Sequence, residues 1–282
     1  MICAWEPLMS VLPTWIRQEV DKTGRNKLQQ LHLRIGQPPL LRMRDGCTGM
    51  NRIVKREDIQ FCVNTATKYS PWAAQTIING YITAPGGHRI GVCGETVVQN
   101  GVVTGFRDVR SLCIRVAGDY PGIARDIVNN DGSVLILGRP GCGKTTLLRD
   151  LIRQLSARET VGVVDQREEL FPAIGGVSCF QTGERTDVVT GCDKAKGIEM
   201  LIRTMSPDTV ATDEITANED CDALINAAWC GVRLLATAHA GSKEDLLKRR
   251  VYRPLIESGI FTTLVILQRD KSWRMERITY DN

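Results

Sequence analysis

No run in these 282 residues is apolar enough to cross a membrane. The longest uncharged stretch, residues 69–88, is broken by Pro71, Gln75 and Asn79, whereas a spanning helix needs about 20 consecutive, predominantly apolar residues. The opening MICAWEPLMS lacks the basic patch and long apolar core of a secretory leader. The expected setting is therefore the cytoplasm, with any membrane link peripheral. No C-x-x-C pair occurs among the ten cysteines, which excludes a zinc ribbon and a thioredoxin-type motif. Scattered cysteines without a leader read as reduced, buried small hydrophobes. Aromatic residues make up only 5%, and no basic-aromatic platform of the kind that stacks bases is present. Nor is there a charge excess to suggest a polyanion. The 36 Lys and Arg are interleaved with 32 Asp and Glu, for a net charge of +4 and a pI near 8.5. No stable nucleic-acid partner is expected.

What is present is an ordinary globular composition, 43% hydrophobic and 24% charged, whose texture changes near residue 125. Before that point, short alternating segments (LHLRI, PPLLRMRDG, GYITAPGGHRIGVCGE, QNGVVTG, SLCIRV) are separated by turn signals and read as strands and hairpins. Residues 56–78 read as helix, interrupted at Pro71. The expectation is an α+β domain over 1–125 and an α/β domain over 126–282. In the second part strands are expected at 133–137, 161–164, 209–212, 232–236, 262–267 and 274–279. The helices between them include one from 195 to 205 and one closed by Gly231. Strands alternating with helices imply a mostly parallel sheet, with ligands at the carboxyl ends of its strands.

One motif carries specific chemistry. Gly138-Arg139-Pro140-Gly141-Cys142-Gly143-Lys144-Thr145, followed by Thr146, fits G-x-x-x-x-G-K-[ST]. The glycines let successive N–H groups point into one concavity, and the helix that starts there adds its positive end. Lys144 is placed to reach β- and γ-phosphates, and the Thr145 hydroxyl to ligate Mg2+. The flanking context fits: a buried strand before the loop, and after it a helix with Leu147, Leu148, Leu151, Ile152 and Leu155 on one face. Cys142 reads as a small tolerated residue inside the loop.

Such a site also needs carboxylates. Asp213 and Glu214 end a strand, so a parallel sheet brings them to the edge that carries the loop. Asp213 is expected in the Mg2+ shell and Glu214 as general base or water-positioning group. Asp165, Glu168 and Glu169 follow another strand and offer a second acidic contribution, or only an acidic turn. His239 closes a strand at the same edge, where it could hydrogen-bond a γ-phosphate.

Together, the segments GRPGCGKTTLLRDLIRQLS, GVVDQREEL, ERTDVVTGCDKAKGIEMLIRTMSPD, TDEI and LLATAHA resemble the stage III sporulation protein AA family, within the type II and type IV secretion ATPase group. LHLRIGQP, GYITAPGGHRIGVCGE and SLCIRVAGDYPG extend the resemblance over nearly the whole chain. It implies a P-loop NTPase domain of the RecA and secretion-ATPase type behind a smaller α+β domain, with ATP and Mg2+ as cofactors. It also implies a homo-oligomeric ring, a hexamer, at the base of a sporulation channel. Its partners would be channel membrane proteins, and its place the mother-cell side of the membrane facing the forespore. By the same resemblance, residues 165–169 form an acidic box in which Glu169 is the favoured carboxylate, and 237–239 form a histidine box. Arg203 and Arg185 are matched basic positions, and Arg89, Arg107, Arg110 and Arg115 are candidates to act across a subunit boundary. Gln166 stands where the family has Glu, and Thr216-Ala217 where it has Gly-Arg. Both departures bear on hydrolysis and not on binding.

Overall fold

The computed structural model describes residues 4–23, 27–43, 45–67, 77–174 and 176–278. The chain forms two compact units: residues 1–119 with 172–180, and residues 120–171 with 181–282. Sequence texture points to one boundary at 125, but buried Asp150 accepts hydrogen bonds from the N–H groups of Gly122 and Ala124 (3.0 and 2.9 Å), which ties this stretch to the second unit. The excursion at 172–180 has no compositional signature.

The first unit opens with helices α1 (Trp5–Ser10) and α2 (Thr14–Thr23). Strands β1 (Leu28–Arg34), β2 (Leu40–Met43) and β3 (Gly46–Gly49) follow, then α3 (Arg56–Thr67). Strands β4 (Tyr81–Ala84), β5 (His88–Gln99) and β6 (Val102–Arg115) complete a sheet ordered β3-β2-β1-β6-β5-β4, antiparallel throughout. The helix expected over 56–78 ends at Thr67; residues 68–76 lie outside the described residues, and Ile77–Asn79 is a single 3-10 turn. Leu8 and Ile16 from the first two helices, with Leu12 from the turn between them, pack with Leu31, Leu33, Ile59, Ile90 and Ile114. A short pair, β9 (Ala173–Ile174) and β10 (Val177–Ser178), belongs to this unit.

The second unit is a seven-stranded sheet of β7 (Val134–Leu137), β8 (Val161–Asp165), β11 (Thr186–Thr190), β12 (Thr209–Thr212), β13 (Arg233–Ala238), β14 (Thr263–Leu267) and β15 (Trp273–Arg277). The order is β11-β8-β12-β13-β7-β14-β15; every pairing is parallel except β14 with β15. Strands β7, β8, β12 and β14 are buried at every residue, as expected for strands covered on both faces. The loop-following helix Lys144–Leu155 buries Leu147, Leu148, Leu151, Ile152 and Leu155. Strand β13 starts at Arg233 and continues to Ala238, two residues past its expected end. The cysteines are less buried than expected. Among the nine described, all free, only Cys62, Cys142 and Cys221 are buried, while Cys47, Cys93 and Cys230 are exposed.

The His88 side chain lies fully buried inside the first unit. His88 donates from Nε2 to the Ala4 carbonyl at 2.8 Å and accepts the Ala117 N–H at Nδ1 at 3.0 Å. A second ring proton would face the Ala117 N–H. Burial holds the imidazole below its ordinary 6.5, although the Ala4 carbonyl pulls the other way. Because the unfolded ring takes up a proton near 6.5, this stabilisation is present above that pH and is lost as the pH falls through it. Denaturant titration between about pH 7.5 and 5.5 should show a falling midpoint in the wild type and a flatter profile in His88→Asn; equal slopes would refute the assignment.

Candidate functional site

The phosphate loop connects β7 to the helix that begins at Lys144. Gly141 and Gly143 have φ of +78° and +101°, a region that side-chain-bearing residues rarely enter. The neighbourhood of both is open, since a Cβ at either would meet no atom within 4 Å. The loop is thus a glycine-built concavity ending in a helix N-terminus, which suits an anion.

Four neighbouring strands deliver the rest. Strand β13 lies beside β7, β12 beside β13, and β8 beside β12. The residue just beyond each strand, or just beyond its loop, joins a continuous chain of contacts in that order. Lys144 Nζ donates to His239 Nδ1 at 3.0 Å. His239 Nε2 donates to Glu214 Oε1 at 2.5 Å. Arg167 Nη1 pairs with Glu214 Oε2 at 2.8 Å. An ammonium can only donate and a carboxylate only accept, so the two neighbours require the neutral His239 tautomer with its proton on Nε2.

Asp213 is held from both sides. Its Oδ2 accepts the Thr145 hydroxyl at 2.5 Å, and its Oδ1 accepts the Thr237 hydroxyl at 2.5 Å. The Thr237 oxygen in turn accepts the Glu214 N–H at 2.8 Å. Glu214 adopts a left-handed backbone, φ +55°, a conformation with a cost of about 1–3 kcal/mol that functional sites often carry. Burial pushes its carboxyl up, but the His239 hydrogen bond and the Arg167 and Lys144 charges outweigh burial, and it sits below its usual range. Lys144 is 6% exposed. Burial lowers its pKa, while Asp213 and Glu214 partly restore it.

The donor set fits magnesium with a phosphate. Mg2+ keeps several waters and takes one or two protein oxygens besides phosphates. The Thr145 hydroxyl beside the Asp213 carboxylate offers such a pair, and among the described residues no cluster of three or more His, Cys, Asp or Glu forms a closed metal cage.

The family described as sporulation stage III, protein AA, is matched over residues 5–282. The chain belongs to that family. Stage III sporulation protein AA of Bacillus subtilis is 36% identical over 279 residues, covering 94% of this chain and 91% of that one. Among solved structures, the Legionella pneumophila ATPase DotB is similar at a TM-score of 0.62 and 15% identity, over 90% of this chain and 76% of that one. The pilus retraction motor PilT, solved with bound ADP, is similar at a TM-score of 0.60 and 16% identity, over 94% and 78%. At these identities the structural likeness establishes the fold, a P-loop ATPase-like α/β fold.

The expected acidic box divides. Asp165 is 2% exposed, and its carboxylate accepts the N–H groups of Glu169, Leu170 and Phe171 at 2.8–3.0 Å. It shapes the loop. Burial pushes its carboxyl up to about 6 despite those hydrogen bonds. Glu169 lines a small cavity with Asp165, Asp213 and Glu214. Glu168, at φ +51°, is half-buried, and burial together with Asp165 pushes its carboxyl up. Gln166 donates to Asp193 at 3.3 Å.

Arg203 is a correction to the sequence reading. It lies on the solvent side of the helix Lys194–Met205, paired with Glu199 one turn earlier at 2.7 Å, and is not brought to the cluster. Arg185 donates to the Arg158 carbonyl at 2.9 Å. Arg107 and Arg110 pair with Glu95 and Asp108 within the first unit, and Arg89 lies over the Tyr81 ring at 4.0 Å. Arg139 and Pro140 are exposed on the loop, Cys142 is buried within it and Thr146 is half-buried.

Three groups were not evident from sequence. Arg167 reads there as part of an acidic turn, and Lys194 as a residue preceding a helix. Arg149 reads as the polar face of an amphipathic helix, yet it is 5% exposed and donates to the carbonyls of Leu170 (2.6 Å) and Glu169 (2.7 Å). Residues 169–171 are therefore held by Asp165 at their N–H groups and by Arg149 at two of their carbonyls. Arg149→Lys loses the planar fork that makes both carbonyl contacts. Amide exchange at Glu169, Leu170 and Phe171 should accelerate about tenfold in that variant, which corresponds to the loss of one such hydrogen bond. Unchanged exchange there would show that Asp165 alone holds the loop.

Proposed function

We propose that this protein is a Mg-dependent ATPase that works as a homo-oligomeric ring, a hexamer, to energise or assemble a sporulation channel. Its proposed place is peripheral to the mother-cell membrane that faces the forespore. Among the described residues no helix is long and apolar enough to cross a membrane. The observation that carries the reading is the meeting at one sheet edge of the glycine loop, Lys144, the Thr145–Asp213 pair and the His239–Glu214 pair. Family membership supports the sporulation setting.

In this reading the loop N–H groups and Lys144 bind the phosphates, and Lys144 exchanges the His239 nitrogen for a phosphate oxygen. Thr145 and Asp213 hold Mg2+, which when bound compensates phosphate charge. Glu214 orients the attacking water and accepts its proton. His239, once freed from Lys144, can take up a second proton at Nδ1 and donate it to a terminal phosphate oxygen, while its Nε2–H keeps Glu214 in place. A second reading is a nucleotide-gated scaffold that hydrolyses little. It draws support from the double engagement of Glu214, both of whose oxygens already have partners, and from Gln166 and Ala217.

Phosphate release with Mg-ATP, titrated in protein concentration, separates the two. Under the first reading turnover per subunit climbs with concentration, and it falls at least about a hundredfold in Lys144→Ala and Glu214→Gln. Nucleotide binding that Lys144→Ala abolishes, without wild-type turnover, would replace the motor with the scaffold.

A further inference from the structure

Lys194 is an ammonium inside the protein. The residue is 5% exposed, and it lines the cavity at the strand ends with Asp165, Glu169, Asp213 and Glu214. Among the described residues it makes one hydrogen bond, 3.3 Å long, to Asp220 Oδ2. That oxygen is already engaged, because it accepts the Thr216 N–H at 2.9 Å, the Ala217 N–H at 3.2 Å and the Thr216 hydroxyl at 3.4 Å. Asp220 thus organises the start of the helix Asn218–Trp229 without needing Lys194.

An ammonium has three donors, and a buried one needs compensating partners. Three of the four carboxylates that line the cavity with it already have donors of their own: Asp165 has three backbone N–H groups, Asp213 has two threonine hydroxyls, and Glu214 has Arg167 and His239. Arg167 also lines this cavity, but it is exposed and pairs with Glu214; Lys194 is the buried cation here with donors to spare, and its complement is an oxyanion. Lys144 serves the same edge from the phosphate-loop side.

We propose that Lys194 is a second phosphate-contacting cation of this site, which binds the terminal phosphate of a nucleoside triphosphate and so distinguishes triphosphate from diphosphate. This rests on the nucleotide reading above. Arginine at the position keeps the charge, methionine removes it, and Asp220→Asn removes the ion-pair partner while leaving the ammonium.

The test is the ratio of affinities for Mg-ATPγS and Mg-ADP, by calorimetry, with thermal melting of each variant. Lys194→Met should weaken ATPγS binding about tenfold, the scale of one lost charge-assisted hydrogen bond, with ADP affinity held within about twofold. Lys194→Arg should recover most of the loss, and Asp220→Asn should keep the wild-type ratio. An unchanged ratio in Lys194→Met overturns the inference. An equal fall in Asp220→Asn overturns it too, because the pair then acts only as a structural tie. Should Lys194→Met fail to fold, Lys194→Gln is read by the same criteria. If Lys144→Ala abolishes binding while the Lys194 variants keep the ratio, this inference falls alone; if the wild type binds neither nucleotide, the site reading falls with it.

Discussion

The parallel ladder β7–β13–β12–β8 is the constraint on which the site depends. In it Leu137 lies opposite Ala238, and Thr212 lies opposite both Ala236 and Val164. Each strand then releases its functional residue at nearly the same level, and Lys144, His239, Glu214 and Arg167 meet in spatial order although the last three run in the opposite order along the chain. A slip of one residue along any of these strands displaces its end by about 3.3 Å. That is as long as the hydrogen bonds concerned, so the contact chain tolerates no register error. The mostly apolar residues of these strands, nearly all of them buried, supply the force that keeps the register.

A site of this kind concentrates costly groups. Lys144, Arg149, Asp165 and Lys194 are all nearly inaccessible to solvent, and each ion withdrawn from water without partners costs several kcal/mol. Their placement is tolerable because partners are provided in series: three N–H groups for Asp165, two carbonyls for Arg149, an imidazole for Lys144. Glu214 adds backbone strain at the same edge. The large buried core beneath, from Leu135 and Leu137 to Leu264 and Ile266, offsets these costs.

The parts legible in the sequence are those governed by local rules. The glycine spacing of the loop is dictated by backbone geometry, and strands covered on both faces such as β7 and β14 announce themselves as apolar runs, whereas β12 buries two threonines. Strand β11 did not, because Thr186–Thr190 is an edge strand, only partly buried and half polar. Helices α1 and α2 were missed because Trp5–Ser10 is a six-residue helix with a proline inside it, and Pro13 directly precedes Thr14. Asp213, Glu214 and His239 could be placed at one edge by topology, but their mutual hydrogen bonds could not. The structural role of Asp165 and the burial of Arg149 are properties of long-range contact, invisible to periodicity. Arg203 shows the converse. A matched motif position gave it a role, whereas in this chain it spends its charge on a neighbour one helical turn away.

The excursion at 172–180 affects how this chain can be made. Gly87 in the first unit lies so close to Pro172 and Phe180 that an added Cβ would come within 3.1 Å of both, and Cys179 donates back to the Pro172 carbonyl at 2.8 Å. The N-terminal unit therefore draws its final packing from residues synthesised after the phosphate loop, its helix and β8. A ribosome releases that unit complete only when much of the other has already emerged. No single cut in the chain yields both units whole, so the division into two is spatial and not a division of the gene.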